Sequence, residues 1–477
     1  MTKRAVVVGA GIGGLTSALA LSRMGYGVVV VERDDTPMPD DVEGAFAWDR
    51  RGAPQVRHTH GFPALIRVTL RDRLPDVLQA LLDAGVTEVS ILPSSLPATA
   101  PSYQRDAEDL QVLSCRRTTL EWVLRRCALA EPNVSLRVGI GAGGLLARRD
   151  GDGALDVRGV VLEDGNEIEA DVVVACMGRR CAVPRWFAEH GVEIVEEEHP
   201  TGTVYLSRFY RAMADAPMGY VGGRRAGLGF VIAGADHGTY SATLAVDADD
   251  DELRAHLLDA DRFEAVLPLF REMEPVVSRG GTPITPVQAM GGLINRIRRY
   301  LDADSRAVAR GFFAVGDSHT CTNPVYGRGS SLAVLQATLV ADSLAAHPDD
   351  RDAAARAYES ASAARVEPWY DISVMTDAAA FASKQQRADG GSAAMPPADK
   401  AARLDLQTLR RLAGADDPEL AVLVARTMSL LLTPQEVFGD PEVLERLATA
   451  AAKPRPPRPD RPARPPLTRA DLLAAGA

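Results

Sequence analysis

The sequence predicts an α/β fold: a parallel sheet covered by helices, with an inserted antiparallel-sheet domain and a C-terminal helical extension. Three observations carry that expectation. A glycine cluster at residues 9–14 stands between an apolar run and a helical pattern. Two further apolar runs, 172–175 and 312–315, each meet a glycine turn. Between them, parts of residues 183–300 alternate apolar and polar positions as half-buried strands do.

The N-terminal element comes first. Ala5-Val6-Val7-Val8 is a β-branched run suited to a buried parallel strand. Gly9-Ala10-Gly11-Ile12-Gly13-Gly14 follows, and Leu15, Ala18, Leu19 and Ser22 then recur at helical spacing up to Met24. Gly25 and Gly27 surround the helix stop, and Val28–Val31 form a second strand that ends at Glu32, 18 positions after Gly14. This is a GxGxxG turn between strand and helix, followed by an acid. Gly9 permits the turn, Gly11 lets backbone approach a pyrophosphate, and Gly14 lets helix and strand pack. The helix N-terminus offers N–H donors to phosphate, and Glu32 can accept from ribose hydroxyls. The motif marks a Rossmann-type dinucleotide site and leaves NAD and FAD equally open.

Composition narrows the remaining classes. The chain has 477 residues, room for two or three lobes. Apolar residues make up 46% and charged residues 25%, which excludes a collagen-like, disulfide-scaffold or wholly disordered chain. The net charge of −11 (53 basic against 64 acidic) speaks against nucleic-acid binding. Five cysteines without a CxxC pair make a disulfide framework or zinc site unexpected and favour a reducing cytoplasm. No uninterrupted apolar run reaches 18 residues, so no transmembrane helix is expected. Lys3 and Arg4 before an apolar stretch imitate a signal peptide, but the glycine pattern and the second strand argue otherwise.

Two later segments complete the pattern. Residues 171–181 read Asp-Val-Val-Val-Ala-Cys-Met-Gly-Arg-Arg-Cys, a buried strand meeting a turn at Gly178. Asp164-Gly165 before it is a hairpin signal. Residues 311–329 read Gly-Phe-Phe-Ala-Val-Gly-Asp-Ser-His-Thr-Cys-Thr-Asn-Pro-Val-Tyr-Gly-Arg-Gly, and a helix follows from Ser330 to about Ala346.

Taken together, these motifs resemble the FAD-dependent monooxygenase superfamily, whose best-known members are aromatic hydroxylases. The resemblance covers residues 1–375 and is greatest to the bacterial natural-product epoxidase and hydroxylase branch, near flavin halogenases and geranylgeranyl reductases. It implies a Rossmann-type FAD-binding domain with an inserted substrate domain. It implies FAD held by Gly9, Gly11, Ile12, Gly13, Gly14, Glu32 and Arg33, with Arg57 or His60 reaching the pyrophosphate or flavin. Arg117 matches the family arginine that opens a helix beside FAD, and Gly178 lies at the second strand turn. Gly316-Asp317 would bind the ribityl chain, and Pro324 would flank the isoalloxazine. Gly327 and Gly329 would let the next helix aim its N-terminus at the flavin N1–C2=O edge, where reduced flavin is anionic.

The implied activity is insertion of one oxygen atom from O2 into a small-molecule natural-product intermediate, through a flavin C4a-hydroperoxide, as epoxidation or hydroxylation. The flavin would be reduced by NAD(P)H directly or through a separate flavin reductase. No catalytic side chain is assigned and no metal is expected: His58 and His60 lack partners nearby in sequence. Tyr205, Arg208, Tyr210 and Tyr220 are candidates either to line the pocket or to pack, and Cys181 reads as a packed residue.

Departures from the family matter. Met177-Gly178 stands where aromatic hydroxylases carry Asp-Gly, which puts direct NADPH use in doubt. No WxWxIP motif occurs and no lysine lies between Lys3 and Lys384, which disfavours halogenation. A flavin dehydrogenase or ene-type reductase is the alternative enzyme, and a flavin-binding scaffold the non-enzymatic one.

The expected domains are 1–182 (FAD, with a helical insertion around 58–105), 183–300 (substrate), 301–375 (FAD, second part), 376–452 (helical) and 453–477 (a tail). Gln385–Lys400 reads as a loop, and Leu404–Leu412 as helical. Seven prolines and four arginines in 453–466 predict polyproline II or disorder.

Overall fold

The computed structural model describes residues 2–92, 98, 101–149, 151, 153–213, 220–273, 277, 280–388, 417–452 and 467–476. A five-stranded parallel sheet forms its centre, in the order Phe312–Ala314, Val172–Ala175, Arg4–Val8, Gly27–Glu32, Val134–Val138. Val6, Val7, Val173 and Val174 are fully buried, because helices cover one face and a β-meander the other. The meander pairs Ala142–Arg149, Leu155–Leu162 and Glu167–Glu169 across the expected turn at Gly165.

Helices Ile12–Arg23, Arg117–Ala130 and Gly329–Ala346 cover the other face. Gly329–Ala346 has the length and apolar composition of a membrane span, yet 72% of it is buried within the protein, as in a core helix.

The inserted sheet runs Tyr220–Arg225, Leu228–Gly234, Thr239–Asp247, Thr203–Ala212, Gly281–Pro283, with Gln288–Met290 also pairing Thr203–Ala212. Its outer face buries Leu206, Tyr210, Ile232 and Leu244 against helices Asp251–Leu258 and Ala260–Val266. Its inner face carries Tyr205 and Ala245, which pack with Leu293 and turn toward the parallel-sheet domain.

Several expected boundaries shift. The insertion around 58–105 holds helices Ala64–Arg73 and Pro75–Asp83, and also the strand Thr87–Ser90, which pairs with Gln111–Ser114. Helix Glu367–Ala388 runs through the expected break at 375/376 and into the expected loop from 385. Residues 389–416, including Leu404–Leu412, and 453–466 lie outside the described residues. Residues 467–476 are no loose tail end. Helix Arg469–Ala474 starts in a Thr468–Asp471 capping box and inserts Leu472 into the core of the inserted domain. Arg469 also pairs with Asp250 and Glu252.

Candidate active site

One cavity of about 3450 Å³ runs from the glycine turn, past Gly316–Gly329, to the inner face of the antiparallel sheet. A pocket for a single drug-sized molecule measures about 300–1,000 Å³, so this one has room for a dinucleotide and a second ligand.

The glycines divide into two kinds. Gly9 has φ +103°, and a Cβ there would collide with the Cys176 carbonyl. A Cβ at Gly14 would collide with the Gly9 carbonyl, so Gly14 serves strand–helix packing and does not line the cavity. A Cβ at Gly11 would meet nothing within 4 Å, because the cavity opens there. Gly13, Ile12 and Gly178 also line it.

Glu32 ends its strand buried. Its carboxylate accepts from Ala10 N at 2.8 Å and Asp34 N at 2.9 Å, beside Arg50 at 3.5 Å. Arg50 was not legible in the sequence. It is 3% exposed, donates to Glu121 at 2.8 Å, and lies over the Trp48 ring. Arg33 sits at the exposed rim, bonded to Glu163 at 2.7 Å, and Arg57 lies closer in, 3.4 Å from the Phe46 carbonyl.

Arg117 opens its helix, bonds Glu121 at 2.8 Å and reaches His60 Nε2 at 3.1 Å. His60 Nδ1 donates to the His58 carbonyl at 2.9 Å, which leaves Nε2 as the acceptor for Arg117. Burial, then the Arg117 charge, holds His60 down to about 3, so it is neutral. His58 bonds Ser207 on the antiparallel sheet at 2.8 Å, and burial holds it down to about 4. Its ring lines the cavity, with Nε2 as the nitrogen not bonded to Ser207.

Asp317 follows Gly316, whose φ of +62° turns the chain and whose N–H donates to Gln336 at 2.8 Å. Its carboxyl lies deep in the protein yet partly open to the cavity. Burial raises its pKa, against Arg117, Arg179 and the Cys321 thiol, which lower it. A buried carboxylate with so little direct solvation by the protein fits donor hydroxyls supplied by a ligand. Pro324, Gly327 and Gly329 line the same stretch, and the Gly329–Ala346 helix starts there. The open Gly11, the acid at Glu32 and the underserved Asp317 together fit FAD.

On the antiparallel sheet, Tyr205 and Tyr220 line the cavity, but Arg208 and Tyr210 do not. Both bond Glu264 on the outer face, at 2.9 and 2.6 Å. Odd positions of the Thr203–Ala212 strand face the cavity side and even ones the outer core, so period-two alternation separates Tyr205 from Arg208 and Tyr210, whereas Tyr220 lies on a different strand. Cys181 packs beside the meander core.

The family model for the NAD(P)-binding Rossmann-like domain matches residues 7–81. Protein Rv3254 of Mycobacterium tuberculosis is 28% identical over 370 residues, 70% of this chain and 71% of that protein. PqsL, a probable FAD-dependent monooxygenase from Pseudomonas aeruginosa, is 16% identical with TM-score 0.58, over 80% of this chain and 100% of PqsL. The flavin-dependent brominase Bmp2 is 14% identical with TM-score 0.58, over 94% of this chain and 98% of Bmp2. The chain therefore shares the fold of PqsL and Bmp2.

Proposed function

We propose that this chain is an FAD-dependent monooxygenase that inserts one oxygen atom of O2 into a small-molecule natural-product intermediate, as epoxidation or hydroxylation. The observation that carries the reading is the single cavity joining the dinucleotide turn, the Asp317–Gly329 stretch and the antiparallel sheet. A cofactor laid along the first two presents its reactive end to the third.

FAD, when bound, supplies the oxygen-activating chemistry. The protein binds, orients and dries the site. Glu32 and the helix start at Gly11–Gly13 hold the adenosine and phosphate end, and Asp317 accepts from the ribityl hydroxyls. The N-terminus of Gly329–Ala346 favours negative charge on the ring. Tyr205, Phe230, Met290 and Leu293 give the substrate end an apolar wall that excludes water. Neutral His58 offers a ring nitrogen to a substrate hydroxyl.

Two features choose among related chemistries. Both described lysines are engaged: Lys3 at Asp349, 3.8 Å away, and Lys384 at Asp247 and Asp249. That favours oxygen insertion over halogenation. Met177 lies at the cavity wall with a thioether where the aromatic hydroxylases the sequence resembles carry an aspartate, which favours reduction through a separate flavin reductase over direct NADPH binding.

The test is anaerobic reduction of the FAD-loaded protein, followed by ¹⁸O2 and a panel of aromatic and polyene compounds. One ¹⁸O atom in a product supports the reading. Substrate oxidation or reduction without ¹⁸O supports a flavin dehydrogenase or ene-type reductase.

A further inference from the structure

Asp377 stands within helix Glu367–Ala388, only 8% exposed, and its carboxylate gathers donors from two other elements. Asn295 Nδ2 donates to it at 2.8 Å, Asn323 Nδ2 at 3.0 and 3.1 Å, and the Tyr326 hydroxyl at 3.0 Å. All these donors are neutral. Burial outweighs these donors and the nearby Arg328 charge and raises its pKa, so the carboxylate is a costly way to fasten a helix, and apolar packing would do so at less cost. What it fastens is the loop that faces the cofactor end of the cavity.

Asn323 is saturated. Its N–H donates to Asn295 Oδ1 at 2.7 Å, and its own Oδ1 accepts from Val325 N at 3.1 Å and from the Tyr205 hydroxyl at 2.7 Å. The Val325 bond closes the short turn Pro324–Tyr326, and Gly327 leaves that turn at φ +64°, against the backbone of Gly61. The loop is thus held by Asp377 on one side and by Gly61 on the other. The same helix continues to the antiparallel sheet. A Cβ at Gly202 would collide with the Phe381 ring, and Lys384 pairs with Asp247 at 3.4 Å.

We propose that Asp377 is a positioning residue for the cofactor: through Asn323 and Tyr326 it sets where Pro324–Gly327 lie against the ring, and through Asn323 it ties that setting to Tyr205 on the substrate sheet. The proposal rests on the reading that FAD lies along Asp317–Gly329. Asp377 also lines the cavity, and it acts on the loop through its bonds to Asn323 and Tyr326. A group that changes the packing of Tyr205 then changes the flavin environment by way of Asn323.

The experiment titrates full-length apoprotein with FAD and records the affinity, the visible spectrum of the bound flavin and its midpoint potential. The variants are Asp377→Asn, Tyr326→Phe, Tyr205→Phe and the Asp377→Asn/Tyr205→Phe double. Asp377→Asn is expected to weaken FAD binding about ten-fold or more and to displace both spectrum and potential. Tyr326→Phe removes one of the bonds and is expected to shift the same quantities less. Tyr205→Phe is expected to perturb the spectrum alone but to add little in the Asp377→Asn background. A merely structural Asp377 would lower the melting temperature and leave the spectrum and potential of bound flavin at wild-type values, which overturns the proposal. If Asp377→Asn does not fold, an unchanged flavin spectrum in Tyr326→Phe overturns it. Failure of the wild-type chain to bind FAD overturns the site reading itself, and the proposal with it, before any variant is compared.

Discussion

Arg116 and Asp236 form a buried two-pronged pair, with Nη2 2.8 Å from Oδ2 and Nε 3.0 Å from Oδ1. The Arg116 N–H and the Thr119 hydroxyl donate to the same carboxylate, at 2.7 and 2.6 Å. Arg116 precedes the helix that carries Arg117, and Asp236 lies between two strands of the antiparallel sheet. The pair therefore fixes the two walls of the cavity relative to each other. Asp236→Ala leaves a guanidinium buried without its partner and is expected to cost about 3–5 kcal/mol. Urea denaturation checks this, and a loss under about 1 kcal/mol contradicts it.

Glu32 serves the fold through the bonds its carboxylate accepts from Ala10 N and Asp34 N, and in the proposed site it serves the ligand as well. Glu32→Ala is expected to weaken FAD binding about ten- to a hundred-fold, the worth of a charge-assisted hydrogen bond of about 1.5–3 kcal/mol. It also strips a partner from Arg50, so the apoprotein is expected to melt lower. Unchanged affinity in a titration of apoprotein removes Glu32 from the site.

Asp317 should behave in the opposite way. Its raised pKa means that the ionised group opposes folding at neutral pH and that the opposition fades as pH falls. Asp317→Ala is therefore expected to leave the apoprotein at least as stable as wild type while FAD affinity falls at least ten-fold. Thermal melts with and without FAD separate the two effects, and an apoprotein that unfolds would make Asp317 a structural residue.

His58 gives the fold a pH dependence. Its folded value of about 4 lies below the ordinary 6.5, so on acidification the unfolded chain takes up the proton first. Stability is full above pH 6.5 and is lost as pH falls toward 4. Between pH 7 and 5 the loss is about 2 kcal/mol, and His60 adds to it in the same direction. His58→Asn is expected to flatten this part of the profile. Paired denaturation curves at the two pH values decide: a variant as pH-sensitive as wild type contradicts the assignment.

Much of the parallel sheet was legible because burial on both faces writes itself as valine runs, and because Gly9 and Gly14 sit where a Cβ cannot. Tyr205 could have been separated from Arg208 and Tyr210 by alternation alone. The Thr468-x-x-Asp471 box before Leu472 signalled a helix within what composition suggested was a tail. Arg50 and Asp377 left no local signal. Their partners lie 71 positions away at Glu121 and 82 at Asn295, and a buried charge is defined by such distant donors. Helix Glu367–Ala388 crossed an expected boundary because its buried Trp369, Tyr370 and Asp377 pack onto the earlier domains.

The most direct measurement is a fluorescence titration of apoprotein with FAD, followed by acid precipitation of the loaded protein. The reading of the cavity predicts one FAD per chain, with all of the yellow chromophore released into the supernatant. Failure to bind FAD, or chromophore retained in the protein pellet, contradicts non-covalent FAD at the glycine turn, Glu32 and Asp317.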